Sequence, residues 1–117
     1  MEVQFEDAGA FLIAKVSGVF SLPAMLSIVE KIAAEARARQ AQRVLVESFG
    51  VTGDIPDIDR YDLGKRAAEM LLHVERVAIL RPAHLSTGFG IDVARNRGLD
   101  IRPFLDAKTA ADWLNAS

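Results

Sequence analysis

The chain has no cysteine. That removes disulfides, thiolate metal sites and thiol nucleophiles together, and it suits a reducing compartment. Nor is there an excess of positive charge: 14 Lys and Arg stand against 16 Asp and Glu, for a formal net charge of −2. No run of basic residues forms the electrostatic footprint that nucleic acid requires, so nucleic-acid binding is not expected. No apolar run approaches the ~20 residues of a membrane helix, and no basic N-terminal segment leads into a long apolar one. A cytoplasmic protein without stable membrane insertion is the expectation. Histidine is scarce as well, with His73 and His84 the only imidazoles.

What is present is the mix of an ordinary globular domain, with 50% hydrophobic and 26% charged residues in 117. That composition is unlike a disordered segment, and the length suits one core, so residues 1–117 read as a single domain.

Glu2-Val3-Gln4-Phe5-Glu6 alternates polar and apolar residues, the pattern of a half-buried strand. Asp7-Ala8-Gly9 supplies a turn, and Phe11 to Val16 is nearly continuously apolar, as in a strand covered on both faces. The short connection makes these two an antiparallel hairpin. Ser21 as N-cap and Pro23 in the first turn then open a helix whose stripe runs Met25, Ile28, Val29, Ile32, Ala33, Ala36. Val44-Leu45-Val46 reads as a short buried strand, parallel to its predecessor through a right-handed crossover.

Residues Glu47 to Asp57 then read as a long loop, the kind that in a compact domain is usually functional or disordered. A second helix begins near Asp57 or Asp59, with Tyr61, Leu63, Ala67, Ala68, Met70, Leu71 and Val74 as its apolar side. On its outside, Asp62 with Arg66 and Lys65 with Glu69 have the spacing of i, i+4 ion pairs. Val77 to Leu80 is another buried strand. The stretch Thr87 to Leu105 packs a helix start, a helix stop and a strand together: Ser86 or Thr87 as cap, Gly98 as left-handed C-cap, and Leu99 to Leu105 as the last strand. Pro103 cannot donate to a ladder, which places that strand at a sheet edge. Asp106 caps a final helix with Ala107, Ala110, Ala111 and Leu114 on one face. The fold class is therefore α/β, a single-domain mixed sheet with an N-terminal antiparallel hairpin, then parallel strands, and four helices.

Candidate chemistry is thin. Asp54, Asp57, Asp59 and Asp62 could offer oxygen ligands to a hard cation, but their spacing is not that of a calcium loop, and helix capping and dipole complementarity account for most of them. No metal and no cofactor is expected. His84, in the loop after the Leu80 strand, lies at the end where open α/β sheets bind ligands, whereas His73 reads as a helix end. Gly88-Phe89-Gly90 at a helix start could cradle an anion, although close helix packing explains its glycines as well. Phe49, Ile55, Ile58 and Tyr61 give the long loop apolar side chains that could line a pocket or a dimer surface.

The element order, with Tyr61-Asp62-Leu63-Gly64-Lys65-Arg66, Arg76-Val77-Ala78-Ile79-Leu80, the Ala94-Arg95-Asn96-Arg97-Gly98 turn and Phe104-Leu105-Asp106 followed by Trp113-Leu114, resembles the SpoIIAA-like proteins with a STAS or Sec14-type fold. The resemblance covers nearly the whole chain, and its motifs mark a fold more than a chemistry. It implies a non-catalytic module that binds a partner protein or a small lipid-like, apolar, anionic or nucleotide ligand. Anti-sigma factor antagonists of the wider STAS group carry a phosphorylatable serine in an Asp-Ser-Ser-Gly-like motif. Here the region reads Glu47-Ser48-Phe49-Gly50-Val51-Thr52-Gly53, without that motif, so a phosphoswitch at Ser48 or Thr52 is not expected.

The expected site lies at the C-terminal ends of the Val44 and Ile79 strands, with Ser48, Asp59, Tyr61, Lys65 and His84 as ligand- or partner-binding residues and no catalytic residue. The alternative is a small hydrolase or transferase using the Asp54 to Asp62 loop and His84. Self-association as a homodimer through an apolar helix face is a third reading.

Overall fold

The computed structural model of the protein describes residues 1–81 and 89–117. The elements follow the expected order: β1 (Glu2–Asp7), β2 (Leu12–Val19), α1 (Leu22–Ala38), β3 (Arg43–Thr52), α2 (Asp57–Leu71), β4 (Arg76–Leu80), α3 (Phe89–Asn96), β5 (Ile101–Phe104) and α4 (Ala107–Asn115). The strands form a five-stranded sheet in the order β1-β2-β3-β4-β5. β1 and β2 are antiparallel and the remaining neighbours parallel. As expected from Pro103, β5 is an edge strand.

Strand order equals chain order, and this decides where the helices go. Parallel crossovers of one hand that always step in the same direction lay their helices on the same face. Accordingly Ile28, Ile32, Ala33 and Ala36 of α1, Ala68 and Leu71 of α2, and Ile91 and Ala94 of α3 share one core with Leu12, Ala14, Val16, Val44, Val46, Val77 and Ile101 of the sheet. Only α4, which follows the last strand, folds back over the other face. There Ala110 and Leu114 pack on Leu45, Ala78 and Leu80, with Phe11, Ile13, Phe104 and Trp113 around them.

α4 is short and does not reach the far end of β2. Lys15, Ser17 and Val19 are exposed there, so β2 is covered on both faces only near its start, rather than throughout as its hydrophobicity implies. Lys15 instead pairs with Glu6 across the hairpin at 2.9 Å.

The largest departure from the sequence reading is β3. It continues to Thr52, so most of the expected long loop is strand and only residues 53–56 connect it to α2. The extension contains a bulge. Lys15 pairs with Glu47 and Ser17 with Gly50, so β3 advances by one residue more than β2. The extra residue shifts the inward and outward alternation, which lets Val46 before the bulge, Ser48 within it and Val51 after it all line the same cavity. The carboxylate of Glu47 accepts a 2.7 Å bond from the Phe49 N–H, which satisfies a donor within the bulge.

Capping follows the sequence in part. Asp106 accepts from the Thr109 N–H at 2.9 Å, and Gly98 adopts φ 103° after α3. Ser21 has extended N-cap backbone, but its side chain makes no capping bond, and Pro23 stands in the first turn. α2 is entered through Pro56, so Asp57 and Asp59 lie in its first turn, where they complement the dipole. The expected caps Ser86 and Thr87 lie outside the described residues. On the outer side of α2, Arg66 reaches Glu30 of α1 at 2.7 Å and lies 3.9 Å from Glu69 of its own helix, in place of the expected pair with Asp62.

Candidate functional site

Helices α1, α2 and α3 do not close completely over the sheet, and between them lies an apolar cavity of about 160 Å³. Phe20, Met25, Val29 and Ile32 wall it from the α1 side, Val46, Ser48, Val51, Val77 and Ile79 from the sheet, and Ile55, Leu63, Ala67 and Leu71 from α2 and its entry. Gly90, Ile91 and Ala94 of α3 complete the wall. The space adjoins the C-terminal ends of β3 and β4, the end of an open α/β sheet where ligands are usually bound.

Among the described residues its polar side chains are Ser48, Arg60 and Arg81. The Ser48 hydroxyl donates to the Leu80 carbonyl at 3.0 Å, tying β3 to β4. Arg60, in the first turn of α2, donates from Nε to the Ile55 carbonyl at 3.0 Å and keeps Nε 4.0 Å from the Asp57 carboxylate. Its side chain is 13% exposed. Arg81 directly follows β4, where its backbone N–H donates to the Phe104 carbonyl at 3.2 Å. It is 8% exposed. Burial, and then the neighbouring Arg60 charge, push the Arg81 guanidinium below its ordinary pKa. Arg81 nonetheless remains a cation, because a guanidinium does not lose its proton in proteins.

Of the expected site residues that the structure describes, Ser48 is at this space and Asp59, Tyr61 and Lys65 are not among its lining residues. Asp59 and Lys65 are on α2. Tyr61 turns toward the end of α3, where its ring lies 5.9 Å beneath the Arg97 guanidinium and its hydroxyl accepts from Arg97 at 3.2 Å. His84 lies outside the described residues. So does Gly88. Gly90 packs against α2, since a Cβ there would lie 2.9 Å from the Arg60 carbonyl oxygen. His73 follows α2 at the opposite end of the sheet, with both ring nitrogens enclosed and no hydrogen-bond partner among the described residues.

Arg60 and Arg81 were not among the residues singled out by sequence. In the sequence Arg60 lies between Asp59 and Tyr61, and Arg81 with Pro82 closes the Val77 to Leu80 strand. A guanidinium immediately after a buried strand is the signal that could have marked Arg81. Among the described residues no group of three or more His, Asp or Glu is arranged to hold a metal ion, and no helix is long and apolar enough to cross a membrane.

No family model matches the chain, and no curated protein matches it. Among solved structures it is similar to the crystal structure of an uncharacterized protein of the DUF3478 family with a SpoIIAA-like fold, from Shewanella loihica PV-4. The two share 19% identity with a TM-score of 0.56, over 97% of this chain and 92% of the other. At that identity the likeness speaks for the fold alone. With its five-stranded mixed sheet, three crossover helices on one face and α4 on the other, the chain has a SpoIIAA-like fold.

Proposed function

We propose that the protein is a binding module whose ligand occupies the apolar cavity beneath α1, α2 and α3. The carrying observation is the cavity itself: about 160 Å³, walled by aliphatic and aromatic side chains, with its few polar groups gathered from the ends of β3 and β4 and the start of α2. Such a space resembles small-molecule sites in kind, being concave and apolar with a small number of placed polar groups. A cavity of roughly 150 Å³ in a protein core holds a molecule of about the size of benzene.

Among the described residues the lining favours binding over catalysis. Acid-base chemistry needs a group that can take and return a proton, and guanidinium cannot. Ser48 has its hydroxyl committed to Leu80. The hydrolase reading would need Asp54 or its neighbours at the cavity, and the aspartates of this segment are not among the lining residues.

The test is to titrate benzyl alcohol into isotopically labelled protein and follow amide resonances. Shifts gathered at Ser48, Val51, Ala67 and Ile91 are expected. Shifts confined to Lys65, Tyr61 and Arg97 would move the site to the outer face of α2, and a titration without shifts would remove it.

A further inference from the structure

The hydrogen-bonding direction of one wall residue carries the class of ligand, an inference that rests on the cavity being the binding site. Lys15 of β2 stands opposite Glu47 and Ser17 opposite Gly50, so Ser48 and Phe49 together oppose the single Val16. The register of β3 with β4 ends with Glu47 opposite Leu80, and one residue further on the Ser48 hydroxyl meets the Leu80 carbonyl at 3.0 Å. A carbonyl oxygen can only accept, so the hydroxyl proton points to Leu80. Serine has one proton and two lone pairs to offer. Toward any further partner its oxygen is therefore an acceptor, and among the described residues no donor reaches it.

The other polar side chains of the wall do not serve a ligand in this way. Arg60 is engaged by Ile55 and Asp57, and neither it nor Arg81 is a free donor to the space. The remaining described lining residues are apolar. We propose that the cavity takes an uncharged ring bearing a hydroxyl, a small phenol or cyclic alcohol, whose O–H donates to Ser48 Oγ while the ring packs against the apolar wall. The size follows from the 160 Å³ of space, comparable to the ~150 Å³ that accommodates benzene. The hydroxyl follows from the acceptor: a ketone, an ether or a carboxylate would set lone pairs against lone pairs and enter an apolar space with its own oxygen unbonded. The bond to Leu80 holds the Ser48 hydroxyl in place before the ligand arrives, so little ordering is left to be done on binding.

The experiment is calorimetric titration of the intact chain with toluene, phenol and benzonitrile, which share a ring and carry no polar group, a donor hydroxyl and an acceptor only. Phenol should bind at least as tightly as toluene, because its hydroxyl exchanges water for Ser48, and benzonitrile should bind more weakly than phenol. In Ser48→Ala the ratio of phenol to toluene affinity should fall about tenfold, the loss expected when an enclosed hydroxyl is left without its acceptor. Weaker binding of phenol than of toluene, or benzonitrile as tight as phenol, would overturn the alcohol assignment while leaving the cavity as a binding site. A ratio unchanged by Ser48→Ala would do the same, and would reduce Ser48 to a tie between β3 and β4. The three-probe comparison is made on the unaltered protein, so it stands whether or not the variant folds. If none of the probes binds, the cavity reading falls, and this assignment with it.

Discussion

Gly64 of α2 lies directly against the backbone carbonyl of Gly90 in α3, so close that a Cβ on Gly64 would overlap that oxygen. Both glycines also line the cavity, so one helix contact sets the spacing of α2 and α3 and the width of the chamber beneath them. In an unconstrained helix interior, exchanging glycine for alanine gains up to about 1 kcal/mol. Here the sign reverses. Gly64→Ala should destabilise the fold by about 2 kcal/mol, the scale of overpacking, and urea denaturation of the pair would measure it.

The cavity can be filled from within. Ala67 lines it from α2 and is only partly buried by its neighbours, so the three added carbons of Ala67→Leu have space to enter. The variant should melt within a few degrees of the parent, or above it, and should lose the response to benzyl alcohol. Thermal melts with and without the alcohol decide this, since a ligand that binds only the folded state raises Tm.

The C-terminal helix is held by arginines from the strands beneath it. Arg76 donates to the carbonyls of Trp113 at 2.8 Å and Ala116 at 2.9 Å, and Arg43 donates to that of Leu114 at 2.6 Å. Arg76 and Arg102 also lie over the Trp113 ring, at 5.5 and 4.7 Å. Arg76→Met should cost about 1–2 kcal/mol by leaving the Trp113 carbonyl without its charged donor, while the Ala116 carbonyl keeps its bond from Arg43. Trp113 is the single tryptophan, so a red-shifted fluorescence maximum would report the loosened helix. Lysine should not restore the parent spectrum, because a point charge cannot reproduce the fork.

Asp106 links stability to acid. The bonds from Thr109, backbone first, hold its carboxyl below the ordinary aspartate range. A depressed folded-state pKa adds stability that is present above the unfolded value, near pH 4, and fades as pH falls through the folded one. The Tm difference between parent and Asp106→Asn should therefore be constant from neutral pH down to about 5 and shrink below 4. A difference unchanged down to pH 2 would rule out this linkage.

His73 makes the opposite case. Its enclosed nitrogens find no partner among the described residues, and a polar group without bonds costs more than an apolar one of similar shape. His73→Leu should be neutral or stabilising by about 1 kcal/mol, measurable by chemical denaturation.

Most of the architecture was legible in the sequence because it rests on local signals. The alternation of Glu2 to Glu6, the helical stripe from Met25 to Ala36, the left-handed Gly98 and the capping Asp106 each act within a few residues. Pro103 placed β5 at an edge for the same kind of reason. The element order followed, and it carried the SpoIIAA-like resemblance.

Tertiary structure alone decided the rest. Glu47 to Thr52 reads as a loop because its polar residues and Gly50 break the strand pattern, yet pairing with β2 and a bulge keep it in the sheet. That bulge is what lets Ser48 and Val51 line the same space. Tyr61 reads as a site residue on its helix, and the approach of α3 adds a contact with Arg97 that no local pattern shows. Arg60 and Arg81 are separated along the chain and become neighbours only when α2 is laid over β4. A sequence displays the chemistry of each side chain and the periodicity around it. Which side chains share an enclosed space depends on helix spacing and strand register, which arise from contacts between residues far apart in the chain.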